Sequence, residues 1–247
     1  MEPILKQPAF PDSVSVVLLS YKEEENLQIL LPKIKGELGS IGINYEILVI
    51  DTAKPLDNTK MVCDKFSASY LPQEEPFYGG AFRTGIKYAK NDCLLVLDAD
   101  GSHNPTSIPD LCRKFTSGYD VVIGSRYTHG GTSKDSRISW LMSKLLNTVM
   151  RLALGLRAKD ISTSFRIYDA RQLKKVLLTR NNYDVLQEVL LRMKINNPAL
   201  KIGEVPITFE KRAFGESKRK LAQFIISYLK TLFVLTLARI HGRGENS

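Results

Sequence analysis

A chain of 247 residues, 43% hydrophobic and 25% charged, has the balance of an ordinary soluble globule and the length for one large α/β domain with a substantial core. Three scattered cysteines, Cys63, Cys93 and Cys112, exclude a disulfide framework or a cysteine zinc site, and Met1 to Asp12 lacks the basic start and apolar stretch of a signal peptide. The net charge of +9 is unevenly divided: residues 1–124 hold 12 Lys+Arg against 17 Asp+Glu, residues 125–247 hold 23 against 9. The C-terminal half therefore presents either a plain solvated cationic surface or a field for phosphate-bearing ligands, anionic lipid or nucleic acid.

In chain order, Val14 to Leu19 reads as a buried strand, followed by a helix from about Glu24 to Leu38. Glu46 to Ile50 is a second strand ending at Asp51, and Thr59 to Ser67 a short helix. Another helix, Phe82 to Ala89, follows the Gly79-Gly80 pair. Cys93 to Leu97 and Asp120 to Gly124 are further buried strands, and Cys93 reads as a buried thiol of a reducing compartment. Continuous apolar runs separated by helical patterns imply a parallel sheet covered on both faces. Ligands bind such sheets at the carboxyl ends of the strands, where Asp51, Asp98 and Gly124-Ser125-Arg126 all fall.

Two polar islands carry chemistry. In Asp98-Ala99-Asp100, two carboxylates one residue apart just past a strand can approach one hard cation, or else cap the helix that Asn104-Pro105 starts. Far downstream, the extended segment Ile202 to Ile207 leads into Phe209-Glu210-Lys211-Arg212-Ala213-Phe214-Gly215-Glu216-Ser217-Lys218, cations interleaved with a glycine and a serine. A divalent metal and a cationic loop are together what a diphosphate requires, which points to a nucleotide-sugar enzyme. A nucleic-acid module would account for the basic half but leaves both islands unexplained.

Further stretches make the pattern specific. Leu19-Ser20-Tyr21-Lys22-Glu23-Glu24-Glu25-Asn26-Leu27 resembles Pro-Thr-Tyr-Asn-Glu-x-x-Asn-Leu, the first-strand signature of family 2 glycosyltransferases. Asp51 with Pro55, Asp57 and Thr59 resembles that family's Asp-Asp-Gly-Ser-Pro-Asp-Gly-Thr, with Thr52, Ala53 and Lys54 as departures and Leu56 inserted. Gly79-Gly80-Ala81 resembles its glycine loop and Asp98 to Pro105 its metal motif. Gly124-Ser125-Arg126-Tyr127, Gly130-Gly131, Asp160-Ile161-Ser162-Thr163-Ser164-Phe165-Arg166 and Gly203 to Lys218 complete an ordered series. Within the family the chain resembles the dolichol- or polyprenol-phosphate mannosyltransferases.

The resemblance implies a GT-A-type fold, a Rossmann-like, mixed but mostly parallel sheet with helices on both faces. It implies an inverting transfer of a hexose, mannose from GDP-mannose foremost, to a polyprenyl or dolichyl phosphate. Ser20, Tyr21, Glu23, Asp51, Gly79, Asp98, Arg212, Ser217 and Lys218 would bind the donor. Asp98, Asp100 and Ser102 would hold Mg²⁺ or Mn²⁺, and Arg126, Lys144 and Arg166 would meet the acceptor phosphate, although Arg166 can equally anchor Asp160. Catalysis would rest on Asp100 and Arg126. A phosphate acceptor is already anionic and needs no general base; the alternatives are another donor such as UDP-glucose, or a hydroxyl acceptor on a glycan or glycolipid, which would need a base, with Asp160 and Glu188 as candidates. His103 is either a further acid–base group or a hydrogen-bonded turn residue.

Residues 1–220 are expected to form the catalytic domain and 221–247 a C-terminal amphipathic tail. Leu221 to Ala238, interrupted by Gln223, Ser227, Tyr228 and Lys230, is a poor spanning helix and a better interfacial one. Trp140 to Leu156 is a second candidate for bilayer contact, and packing against the core is the alternative for each. Expected partners are thus the sugar donor, the lipid phosphate, a membrane surface and, optionally, a membrane-anchoring subunit, without nucleic acid. The expected location is cytoplasmic, peripheral on the cytoplasmic face of the plasma membrane or endoplasmic reticulum.

Overall fold

The computed structural model describes residues 10–211, 230–237 and 239–240. Strand β1 (Ser13–Leu19) leads to α1 (Glu24–Ser40), β2 (Asn44–Asp51), α2 (Thr59–Lys65), β3 (Ser69–Pro72), α3 (Phe77–Tyr88) and β4 (Cys93–Asp98). A 3-10 turn at Pro105–Ser107, α4 (Ile108–Thr116), β5 (Val121–Ser125), β6 (Thr132–Ser133) and α5 (Arg137–Leu154) follow. The rest is β7 (Arg166–Asp169), α6 (Ala170–Leu173), α7 (Val185–Asn196), β8 (Ile202–Pro206) and β9 (Thr208–Phe209).

Seven strands form one sheet in the order β3-β2-β1-β4-β7-β5-β8, and β6 pairs with β9 apart from it. Every pairing in the large sheet is parallel except those of β7, which runs antiparallel to both β4 and β5. The sheet is therefore mixed and mostly parallel, as expected. Its apolar runs are buried on both sides. Leu27, Leu31, Ile34 and Leu38 of α1 join α2 and α4 on one face, and Phe82 of α3, Met150 of α5 and Val189 of α7 cover the other. All three cysteines are buried and reduced.

One boundary differs from the sequence expectation. Helix α3 begins at Phe77 and runs through Gly79 and Gly80 instead of starting after them. The pair serves close packing: a Cβ at Gly79 would lie 2.1 Å from the Arg180 carbonyl oxygen, and one at Gly80 would lie 2.0 Å from that of Glu75. A side chain at Gly79 would push away the backbone at Arg180 and Asn181, and one at Gly80 the turn at Glu75 that leads into the helix.

Candidate active site

The C-terminal ends of β1, β2 and β4 lie side by side and gather the polar groups. Ser20 follows β1, Asp51 ends β2 and Asp98 ends β4, with Leu19 in register with both Ile50 and Asp98. Ser20 and Asp51 are buried, and the Ser20 hydroxyl and Asp51 Oδ1 have no hydrogen-bond partner among the described residues. The Tyr70 hydroxyl donates to Asp51 Oδ2 at 3.1 Å. Burial above all, with the Asp57 charge adding, holds the Asp51 carboxyl above the usual range against hydrogen bonds from Thr52 and Tyr70. Buried polar atoms left without partners at strand ends are features of a ligand cleft rather than of a core.

Around this pair the first two loops are stitched together. Asp57 accepts from the Glu24 N–H at 3.1 Å and the Thr59 N–H at 3.0 Å, while the Glu24 carboxylate accepts from the Asn58 N–H at 3.1 Å. The Thr52 hydroxyl closes its own turn on the Lys54 carbonyl at 2.7 Å. Tyr21 stands half exposed at the rim, and Glu23 accepts from the Asn26 side chain.

The two carboxylates of the acidic island are both largely enclosed, and neither caps a helix. Asn104 caps the next turn instead, accepting from the Thr106 N–H at 3.2 Å. Asp100 Oδ1 accepts from the Ser102 N–H at 3.0 Å and the Ser102 hydroxyl at 2.6 Å, so Ser102 braces Asp100 and only its lone pairs could face a cation. Asp98 Oδ1 accepts from the Tyr78 hydroxyl at 2.9 Å. Burial, with the Asp100 charge adding, pushes the Asp98 carboxyl up against the opposing pull of His103 and Tyr78. The buried Ser164 hydroxyl stands beside Asp98 and Tyr78 and helps to lower the Asp98 carboxyl.

Two mutually repelling carboxylates one residue apart at a strand end, Asp100 buried and Asp98 partly exposed, fit a hard divalent cation. Among the described residues no cluster of three or more His, Cys, Asp or Glu side chains converges, so such a cation would complete its shell from phosphates and water.

His103 resolves into a structural residue. The Asp98 N–H donates to its Nδ1 at 3.3 Å, which assigns the hydrogen to Nε2, 3.3 Å from Thr163 Oγ1. Its ring packs against Phe165 and Phe209, and burial first of all lowers its pKa. It pairs across to Phe209, and the Glu210 N–H donates to the Ser102 carbonyl at 2.9 Å. The chain therefore passes directly beside the acidic island just before the cationic run. Arg212, Ser217 and Lys218 lie outside the described residues.

Arg126, at the end of β5, is gripped by Asp160. Its Nε and Nη2 donate to the two carboxylate oxygens at 2.8 and 3.0 Å, and Nη2 also reaches Ser162 Oγ at 2.8 Å. Burial alone would raise the Asp160 carboxyl, but Arg126 outweighs it and holds it below the usual range. Nη1 has no hydrogen bond among the described residues, and the guanidinium lies over the rings of Tyr127 and Phe209. Asn147 of α5 donates to Ser162 and accepts from the Ile161 N–H, tying α5 to this loop. One helical turn earlier, the exposed Lys144 stacks its ammonium over Trp140.

Three expected residues sit elsewhere than an open cleft. Arg166 is wholly buried and donates to the carbonyls of Leu186 and Ile161 at 2.7 and 2.8 Å and to Tyr168, so it anchors neither Asp160 nor, in this state, an exposed phosphate. The Gly79 N–H is taken by the Asn181 carbonyl at 2.7 Å. Glu188, fully buried, accepts from the Thr179 N–H, the Thr179 hydroxyl and the Arg180 N–H at 2.9, 2.8 and 2.8 Å. Tyr70 and Tyr78 belong to the site but to none of the sequence motifs, and Thr163 falls within one without a role of its own there. Only their placement in space marks them.

The glycosyl transferase family 2 model matches residues 15–177, and the chain belongs to that family. It is 35% identical over 235 residues, 90% of this chain, to the dolichol-phosphate mannosyltransferase of Pyrococcus furiosus, of which it spans 63%. To the polyprenol monophosphomannose synthase of Mycolicibacterium smegmatis it is 30% identical, covering 82% of this chain and 79% of the relative. Among solved structures, the Mycobacterium tuberculosis glucosyl-3-phosphoglycerate synthase in complex with Mn²⁺, UDP and glucosyl-3-phosphoglycerate superposes with a TM-score of 0.70 at 19% identity, over 92% of this chain and 80% of that one, which shows the shared GT-A-like fold.

Proposed function

We propose that the protein is a metal-dependent, inverting glycosyltransferase that moves mannose from GDP-mannose onto a polyprenyl or dolichyl phosphate, whose phosphate oxygen is the nucleophile. One observation carries the choice of acceptor: among the described residues, the three general-base candidates that the sequence offers for a hydroxyl are otherwise engaged. Asp160 is held by Arg126, Glu188 by the backbone at Thr179 and Arg180, and His103 accepts the Asp98 N–H. A phosphate acceptor, anionic near neutral pH, needs none of them. The names of the two curated relatives point the same way.

In this reading the Asp51 Oδ1 and Ser20 hydroxyl meet the base and ribose with Tyr21 and Glu23 at the rim. Asp98 and Asp100, the latter braced by Ser102, would hold Mg²⁺ or Mn²⁺, and such a cation would supply charge neutralisation for the departing diphosphate. Arg212, Ser217 and Lys218 supply further donors to that diphosphate, on a segment that leaves from beside Ser102. Arg126 meets the incoming phosphate through its remaining Nη1, its plane fixed by Asp160, and Lys144 adds a second cation from α5. Alignment of the two phosphates and stabilisation of the leaving group do the chemical work.

A lipid-borne acceptor would call for a peripheral position on a membrane. No helix among the described residues is long and apolar enough to cross one. Yet α5 exposes Ile138, Leu141, Leu145, Val149 and Leu152 along one face, and the described C-terminal helix exposes Phe233, Leu237 and Ile240. Leu235 of that helix is buried in the core and Arg239 donates to the Ala153 carbonyl at the end of α5, so the two apolar faces belong to adjoining helices. Such faces suit insertion at the headgroup boundary.

The test is a donor-by-acceptor panel: GDP-mannose and UDP-glucose against dolichyl phosphate, bacterial polyprenyl phosphate and the corresponding free alcohols, with and without a chelator. The reading expects metal-dependent transfer from GDP-mannose to the lipid phosphates and none to the alcohols. Equal transfer to an alcohol would overturn it.

A further inference from the structure

Tyr78 stands outside every polar motif, yet its hydroxyl donates to Asp98 Oδ1 at 2.9 Å. Its ring lies 4.3 Å from that of Tyr183. Tyr183 belongs to the loop between α6 and α7, and that loop is clamped from several sides. Buried Glu188 holds Thr179 and Arg180, Arg83 donates to the Arg180 carbonyl at 2.8 Å and to Asn181 Oδ1 at 2.9 Å, and the Gly79 N–H donates to the Asn181 carbonyl. The backbone just before Tyr78 is strained too: Phe77 takes φ +67°, a left-handed conformation that a non-glycine residue seldom adopts.

A phenol that bonds the Asp98 carboxylate, with its ring against Tyr183 of a loop that buried Glu188 clamps, cannot easily turn aside. We infer that Tyr78 is a positioning residue for the metal site: it fixes the Asp98 carboxylate in one orientation for a divalent cation, and the clamped 177–184 loop keeps it there. The inference rests on the reading that Asp98 holds the cation. Without the hydroxyl, Asp98 would gain rotational freedom that cation binding must then remove, and outer partners of this kind commonly contribute a factor of about 10 to 100 in metal affinity.

The experiment measures Mn²⁺ binding in the absence of substrates, by the electron paramagnetic resonance signal of free Mn²⁺, for the native protein and for Tyr78→Phe, Asp98→Asn and Tyr88→Phe. Tyr78→Phe keeps the ring and its stack on Tyr183. Tyr88→Phe removes a phenol from the same helix that bonds only surface Glu74, at 2.9 Å. Binding is scaled to the folded fraction read by circular dichroism, so partial unfolding does not pass for lost affinity.

The expected result is an affinity about tenfold weaker for Tyr78→Phe, unchanged for Tyr88→Phe, with the metal-free unfolding midpoint of Tyr78→Phe near native. Turnover at saturating Mn²⁺ should largely recover, the mark of a positioning rather than a chemical role. Native-like Mn²⁺ affinity in Tyr78→Phe, with binding lost in Asp98→Asn, would overturn the role of Tyr78 while sparing the metal site. Native-like affinity in Asp98→Asn would bring down the metal site and this inference together.

Discussion

Replacing Asp160 by Asn tests the acceptor-side arrangement with a single change of charge and almost none of volume. Asp160 is wholly buried and the Arg126 side chain is 11% exposed, so the change leaves a guanidinium enclosed without its counter-ion. Removing one partner of a buried pair costs about 3–5 kcal/mol. For a chain of this size each kcal/mol moves the unfolding midpoint by about 2–4 °C, so the drop should be about 6–20 °C. The assay is thermal unfolding followed by circular dichroism at neutral pH. Little of the loss should be recovered or removed by salt, because enclosed charges are weakly screened.

The pH dependence has a definite sign. The folded Asp160 carboxyl is held below its ordinary value of 3.8. Its contribution is therefore complete above that value and is lost only as pH falls through the lower folded one. The gap between native protein and Asp160→Asn should be full at neutral pH and close only in the acid range. A midpoint for Asp160→Asn within about 2 °C of native at neutral pH, less than one kcal/mol by the same conversion, would refute the claim that this pair fixes Arg126.

Two further outcomes follow from the same geometry. Asp51→Asn should raise the unfolding midpoint, since burial holds this carboxyl above its usual range and its charge opposes folding at neutral pH, a penalty that eases as pH falls. The same variant should raise the donor KM, and a lowered midpoint with unchanged KM would contradict both halves of that expectation. Ile138→Asp combined with Leu145→Asp should reduce flotation with anionic vesicles while leaving the midpoint alone, because both side chains are already exposed. Undiminished flotation would show that α5 is not the membrane-facing helix.

Much of the scaffold was legible because buried parallel strands announce themselves as unbroken apolar runs. Val14–Leu19, Glu46–Ile50 and Cys93–Leu97 all fall inside observed strands. The strands and helices that escaped prediction lack that signal or hide it. β3 is only Ser-Tyr-Leu-Pro, and β7 carries a fully buried Arg166 in a run too short to show a period. The Gly79-Gly80 pair reads as a break, but the helix runs through it because the Arg180 and Glu75 carbonyls occupy the space where side chains would stand.

The sequence alone determined which chemistry is present and where along the sheet it falls. Carboxylates past apolar strands go to the carboxyl edge because a parallel sheet sends every such strand end to one side. It could not say which of those groups remain available to a ligand. Arg126 and Asp160 lie 34 residues apart, and Tyr78 and Asp98 20 apart, in segments whose meeting depends on the whole sheet order. Whether a charge stays open, is paired or is enclosed turns on distances of a few ångströms and on local burial. Only the tertiary structure decides those, and it alone turned Arg166 and Glu188 inward, gave Asp160 to Arg126 and set Tyr78 on Asp98.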